Sequence, residues 1–570
     1  MYDIVVKNGR VIDGTGNPWF KADVAIEDGR VAQVRKECSG SADKLIDADR
    51  LVLCPGFIDM HNHSDQTLLF HKYATSSTMM GVTTMVVANC GHLPAPITER
   101  NREYQRDHYI SSWSYVDVDR VKIDWKTIPE FYTKLESEGI GNNVAPFIGH
   151  NTLRRAVMGR EKFGGERRSP TDQELEEMKR MVAEAMEWGT LGVTTGLAYQ
   201  PGRNSYTDEL IELCRIVAKY DGIYMSHLRY AGDMVVDATN ELIEIGERAG
   251  LTVVGSHYKA RVGGKGPLPN VLLKMIDEAR DRGIDVVLDT YPWDRSAVSN
   301  LASRLVPHEE NWTMKELVEK LRDPKARKKL EEETLERMKE QKKLTSELIR
   351  GGRRRDGPKT EKSRPQSPSE PASFRGEIVV YSMKHPEYLG KTLDKIAKMR
   401  DVDSIRALTD LVLEDEGWTM VAGTMVEEDV QAIMKYYATM ISTDSFTLDE
   451  IPAPNRHTGL LPHPRDYGTY PRVLGHYSRD LGLFPLEEAV RKMTSLPAQT
   501  LRLRDRGLLR EGFWADVVIF DPKTVAQGAT YGHSRYPQGI EYVLVNGQVT
   551  VGEGARSKSL AGKMLRRSAS

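Results

Sequence analysis

Seven short apolar, β-branched runs recur through the middle of this chain: "TTMVVANCG", "NVAPFIGH", "GVTTGL", "GIYMSHL", "LTVVGSHYK", "DVVLDTYPW" and "ATMISTDS". Runs so uniformly apolar suit strands covered on both faces, the situation of parallel sheets. Charged stretches with helical periodicity separate several of them, such as "TDQELEEMKRMVAEAMEW" and "NELIEIGERAG". Strands alternating with amphipathic helices point to a parallel α/β architecture. With "GFIDMHNH" ahead of them the strands number eight, which closes a barrel. The expected fold class is therefore α/β, with a TIM-like (β/α)8 barrel over residues 55–497.

The two ends have a different texture. Residues 1–54 read as short strands with NG and DG dipeptides between alternating segments, which signal hairpins. Residues 498–570 repeat this in "ADVVIFDP" and "GIEYVLVNGQVTVGEG". Both termini are thus expected to build one small β-sandwich domain. Residues from about 295 to 405 fit neither part. They are heavily charged and include "GGRRRDGPKTEKSRPQSPSEPAS", low-complexity sequence with no plausible core. This reads as an insertion after the seventh strand, part helical and part disordered, serving either as a lid or as surface decoration.

Bulk properties exclude some functions. The formal net charge of −2 gives no global field for nucleic acid or an anionic membrane. The basic stretch Arg556–Arg567 reads as a solvated end. Cys38, Cys54, Cys90 and Cys214 are widely spaced without a CxxC, as suits a reducing cytoplasm. No signal peptide and no run near the roughly 18 apolar residues of a membrane span is visible, so a cytoplasmic protein is expected.

Barrel enzymes place their chemistry at the C-terminal ends of the strands. Strand one ends in His61 and His63, strand two in Cys90, strand five in His227, strand six in His257 and strand eight in Asp444. The two-residue period puts His61 and His63 on one side of their strand. A single strand-end histidine is more often a hydrogen-bonded core residue, and a lone cysteine a small buried hydrophobe; helical Cys214 is read that way. The coincidence over five separate strands favours a metal, and imidazole and thiolate are the donors zinc prefers.

At these positions the chain resembles the amidohydrolase superfamily, and within it the N-acyl-D-amino-acid deacylases (D-aminoacylases). The resemblance spans nearly the whole length through "PGFIDMHNHSD", "ANCG", "GHNTLRRAVMG", "GVTTGLAYQPG", "SHYKA", "DTYPW", "STDS", "HPRDYGTYPRVLG", "KMTSLPA" and "DRGLLREGFWADVVIFDP". It implies one zinc held tightly by Cys90, His227 and His257, and a second, weaker ion at His61, His63 and Asp444. It implies Asp444 as the general base and acid, and Lys259, Tyr291 and Arg465 as holders of the substrate's α-carboxylate. His150, at the end of strand three, is expected either to line the pocket or to serve structure. The "GVTTGL" strand lacks the bridging lysine common in the superfamily, so Cys90 would take that place. Ala88, Trp293, "SHLRYAG" and "TDS" depart from the family pattern without removing a ligand. They leave side-chain and acyl preference open.

The expected activity is zinc-dependent hydrolysis of N-acyl-D-amino acids to a carboxylate and a free D-amino acid. Its partner is this small molecule rather than nucleic acid or membrane, and a homo-oligomer stays open. The alternatives are a cyclic-amide hydrolase of hydantoinase or dihydroorotase type and a non-catalytic scaffold.

Overall fold

The computed structural model describes residues 1–111, 122–159, 168–232, 234–261, 266–306, 312, 314–351, 377–452, 462–531 and 533–567. At its centre stand eight parallel strands. In order they are Phe57–Asp59, Val82–Val86, Asn143–Ala145 continued by Ile148–Gly149, Gly192–Gly196, Ile223–His227, Val253–Gly255, Val286–Thr290 and Thr439–Ile441. Strand three is interrupted at Pro146, whose ring nitrogen has no hydrogen to donate to a ladder. Its first half pairs with strand two and its second half with strand four. Beyond strands one and eight the ring closes through the Asn62–Ser445 bridge and the bond from Asp444 N to His61 O at 2.8 Å.

Helices on the outside bury one stripe each. Asp172–Trp188 shows how its sequence arranges this. Thr171 and Glu174 form a capping box at its start, and Met178, Val182, Ala185 and Met186 lie buried one to two turns apart. Gly189, with φ 115°, ends the helix in the left-handed region that glycine enters without penalty.

The termini form one continuous nine-stranded sheet in which Val52–Pro55 pairs with Val517–Phe520. Its core mixes Ile4, Val6, Val24 and Leu53 with Val517, Ile519 and Leu544, so neither terminus has a core without the other. The Asp28-Gly29 and Asn546-Gly547 turns make two-residue hairpins, with both central residues at positive φ. Asn8-Gly9 does not turn the chain. It forms a bulge inside the strand Tyr2–Val11, with Asn8 at φ 63° and the register slipping between Val6 and Gly9.

Two further expectations need correction. The inserted segment runs from strand Arg295–Asn300 through strand Met420–Thr424 rather than ending near 405, and its described part has a core. Three antiparallel strands and the helices Met314–Arg322, Leu393–Arg400 and Ser404–Glu414 enclose Leu317, Leu321, Ile396, Leu408 and Leu411. The apolar residues were hidden by the charges spaced among them. The low-complexity stretch lies, from residue 352 on, outside the described residues.

Nor is Arg556–Arg567 a solvated end. Leu565 N donates to Val144 O at 2.8 Å and Val144 N to Lys563 O at 3.0 Å, adding this segment beside strand three. Ala561 and Met564 are buried, Arg566 lies over the Trp188 ring, and Arg567 donates to the carbonyls of Tyr220 and Asp221. The charges are the rims of a strap holding the terminal domain to the barrel. Truncation after Gly554 is expected to lower the apparent unfolding temperature by roughly 3 °C or more, read by differential scanning fluorimetry.

Candidate metal centre

Backbone geometry brings the donors together. After strand two the chain makes a tight turn with Ala88, Cys90 and Gly91 at φ 66°, 53° and 74°. A side chain at Gly91 would meet Asn151 Oδ1 at 2.3 Å, and one at Gly196 would meet the Cys90 carbonyl at 2.2 Å. Those glycines let the cysteine loop lie against strands three and four. His257 and Asp444 also sit at positive φ, 34° and 52°. Non-glycine residues in that region are uncommon and persist where surroundings impose them, typically at functional sites.

Cys90 Sγ lies 3.4 Å from His61 Nε2, 3.5 Å from His227 Nδ1 and 3.5 Å from His257 Nε2. The Asp444 Oδ1 atom lies 3.1 Å from His63 Nε2 and 3.5 Å from His61 Nε2. Ligand atoms of His61, Cys90 and His257 fall within 4.8 Å of one another, as do those of His61, His63 and Asp444. The two expected ligand sets are therefore one contiguous cluster with His61 between them.

The protonation states of Cys90, His257 and Asp444 suit a cation. Burial opposes ionisation of Cys90, yet His61 and His227 beside it hold its thiol well below the usual range. Burial, then Lys259, pushes His257 down to about 3, leaving a neutral imidazole. Asp444 stays charged against its burial because of Arg465 first and His63 next. A thiolate, a carboxylate and imidazoles packed at these distances in a buried pocket fit a divalent metal of the zinc type.

A layer beneath orients them, and the sequence reading missed it. Asp289, wholly buried in strand seven, lies 3.7 Å from His61 Nδ1 and accepts bonds from His257 N and Ser442 Oγ. Asp59 accepts from His61 N, Asn62 Nδ2 and Thr443 N, tying strands one and eight. Carboxylates behind ligating histidines fix ring orientation. Their signal was present as a single acid in each of two apolar strands, "VVLDT" and "GFID". Tyr199 was also missed. It lies after strand four, 39% exposed, with its ring edge-on to His227 at 4.6 Å.

The expected carboxylate holders gather on one side. Arg465 Nη1 donates to Asp444 Oδ2 at 2.6 Å, and its buried Nε has no hydrogen-bond partner among the described residues. Both Arg465 and Lys259 face the Tyr291 ring, at 5.3 and 5.0 Å. Lys259 Nζ also donates to His257 O at 3.0 Å, and burial pushes its pKa down to about 8. His150 does not join them. It is wholly buried with Nε2 3.0 Å from Glu209, which also pairs with Arg154. The chain turns into the helix His150–Met158 directly after the two-residue strand Ile148–Gly149, which carries the side chain away from the cluster.

A parallel barrel with such a donor cluster at its strand ends defines a metal-dependent hydrolase of the amidohydrolase kind. The model described as "Amidohydrolase family" matches residues 44–330 and 456–551, and the chain belongs to this family. It is 32% identical to the D-aminoacylase of Alcaligenes xylosoxydans xylosoxydans, over 100% of this chain and 98% of that protein. It is likewise 32% identical to the N-acyl-D-glutamate deacylase of the same organism, over 100% of this chain and 97% of the other. The crystal structure of N-acyl-D-glutamate deacylase from Bordetella bronchiseptica, complexed with zinc and a phosphonate mimic of the tetrahedral intermediate, superposes with a TM-score of 0.72 at 29% identity, covering 99% of each chain.

Proposed function

We propose that this protein hydrolyses the amide bond of N-acyl-D-amino acids, using zinc. The observation that carries the reading is the convergence of the Cys90 thiolate, four imidazoles and Asp444 in one buried cluster, beside two cations suited to a carboxylate. Full-length similarity to D-aminoacylase and to N-acyl-D-glutamate deacylase supports the substrate class and its handedness. Cys90, His227 and His257 would hold the tighter ion, with His61, His63 and Asp444 offering a second, weaker place. When bound, zinc supplies Lewis acidity toward the carbonyl and lowers the pKa of water.

The chain's own groups do the rest. Asp444, already a carboxylate, takes a proton from the attacking water and returns it to the departing amine nitrogen. His63 and Arg465 hold its two oxygens, so the oxygens have fixed places before substrate arrives. Arg465 presents its unpartnered Nε to the α-carboxylate, with Lys259 and Tyr291 alongside. Asp289 stands behind the His61 ring, 3.7 Å from Nδ1. The four cysteines are all free and buried, which suits the cytoplasm as its compartment. Among the described residues no helix is long and apolar enough to cross a membrane.

The test is a hydrolysis screen of N-acetyl-D- and N-acetyl-L-amino acids with acidic, apolar and basic side chains, alongside hydantoin and dihydroorotate. Turnover confined to D-substrates is expected; turnover of a cyclic amide with none of the D-substrates would replace this reading. In the same assay Arg465→Ala is expected to raise KM by about 10-fold or more for these carboxylate-bearing substrates. An unchanged KM would exclude Arg465 as the clamp.

A further inference from the structure

Three imidazoles from the ends of strands one, five and six meet at the Cys90 sulfur, at 3.4, 3.5 and 3.5 Å. A metal site tolerates departures of only about 0.2 Å in its ligand distances, so this sulfur must be held closely. The turn that carries it does not hold itself. Ala88 and Cys90 both stand at positive φ, 66° and 53°, where residues with a side chain are uncommon and persist only when their surroundings impose it.

Strand four supplies a brace. Thr194 is wholly buried in the middle of Gly192–Gly196, and its backbone is paired with Gly149 on one side and Met225 on the other. From this fixed place its Oγ1 accepts from Gly91 N at 3.1 Å and donates to Ala88 O. A hydroxyl has one proton to give, and here it goes to the turn, while Ile148 O stands farther off at 3.4 Å. One side chain thus joins the residue two before Cys90 to the residue after it. Gly149 makes the reach possible, because a side chain there would meet Gly91 O at 2.7 Å. Ala88 is held at its other backbone group as well, its N donating to Asp65 Oδ1 at 3.1 Å.

We propose that Thr194 is a positioning residue for Cys90, its hydroxyl fixing the turn so that the sulfur completes the zinc site. This rests on the proposed ligation of zinc by Cys90, and it holds whichever amide the protein cleaves. Valine at position 194 keeps the branched shape but leaves Gly91 N and Ala88 O, both in buried residues, without their partner. Serine keeps both bonds and loses only a methyl group.

The experiment compares wild type, Thr194→Val, Thr194→Ser and Thr78→Val as full-length protein stripped of metal. It records the zinc dissociation constant by competition with a chromogenic chelator, and the thiolate-to-metal absorption band after loading with cobalt(II). Thr78 is the structural comparison, equally buried but bonded to Ala74 O and Asn142 Oδ1 instead of the cysteine turn. Zinc binding is expected to weaken on the order of 30-fold in Thr194→Val, with the cobalt band reduced or shifted, and to stay within about 3-fold of wild type in Thr194→Ser. Thr78→Val is expected to lower the unfolding temperature alone. Unchanged zinc affinity and spectrum in Thr194→Val, the same loss in Thr194→Ser, or an equal loss in Thr78→Val overturns the assignment. If Thr194→Val does not accumulate as folded protein, Thr194→Ala takes its place, with the same expected and overturning results. Wild-type protein with neither zinc binding nor a thiolate band sinks the ligation by Cys90 and this inference together. Zinc binding by wild type with no change in Thr194→Val sinks this inference alone.

Discussion

Asp444→Asn is expected to lower kcat by about 10³-fold or more while leaving the metal content of the purified protein nearly unchanged. Asparagine keeps the shape and an acceptor for Arg465 Nη1, so the change falls mainly on proton transfer. The carboxylate here carries two loads. It faces His63 and His61 from one oxygen and Arg465 from the other, so its charge also balances a buried guanidinium. Asparagine leaves that guanidinium uncompensated, and some loss of thermal stability should accompany the loss of turnover. Elemental analysis and steady-state kinetics on the same preparation separate the effects. Substantial residual activity would move the base to another group.

The second large effect is at Cys90. Cys90→Ala removes the one thiolate from a cluster in which three imidazoles face its sulfur at 3.4 to 3.5 Å. Tightly held zinc is expected to fall below roughly one-tenth of the parent content, and turnover on the order of 10³-fold, because the Lewis acid is lost along with its ligand. Cys214→Ala provides the comparison. That thiol is also wholly buried, but on the helix Thr207–Lys219, where burial pushes its pKa up and, among the described residues, no donor set surrounds it. Its removal should change stability alone. Equal zinc loss in both variants would point to general unfolding instead of ligation.

How much of this was readable without coordinates depended on the distance over which each signal acts. The barrel strands were legible because each is a short apolar run, several of them ending at or just before a polar residue, as in "YMSH" and "VVANC". The candidate ligands stood out because they broke otherwise apolar runs at matching places. Asp289 broke its run as well, but its role depends on His61, more than two hundred residues away, and no local pattern encodes that pairing. Arg556–Arg567 looked like solvent-facing charge because its partners, Val144, Trp188 and Tyr220, lie far back in the chain. Asn8-Gly9 offered a turn dipeptide that the pairing of Tyr2–Val11 with three neighbouring strands overrode, turning it into a bulge. His150 sat at a strand end like the others, yet Glu209 and Arg154 claim it for the core.

The central claim is that the cluster around Cys90 holds a metal needed for D-specific amide hydrolysis. It is tested most directly by stripping the purified protein with a chelator, then adding zinc stepwise while following hydrolysis of N-acetyl-D- and N-acetyl-L-amino acids. The account predicts a stripped protein without activity and recovery with the first equivalent of zinc, on the D-enantiomers only. A metal-free protein that still hydrolyses the D-substrates, or zinc-restored turnover that favours the L-enantiomers, would contradict it.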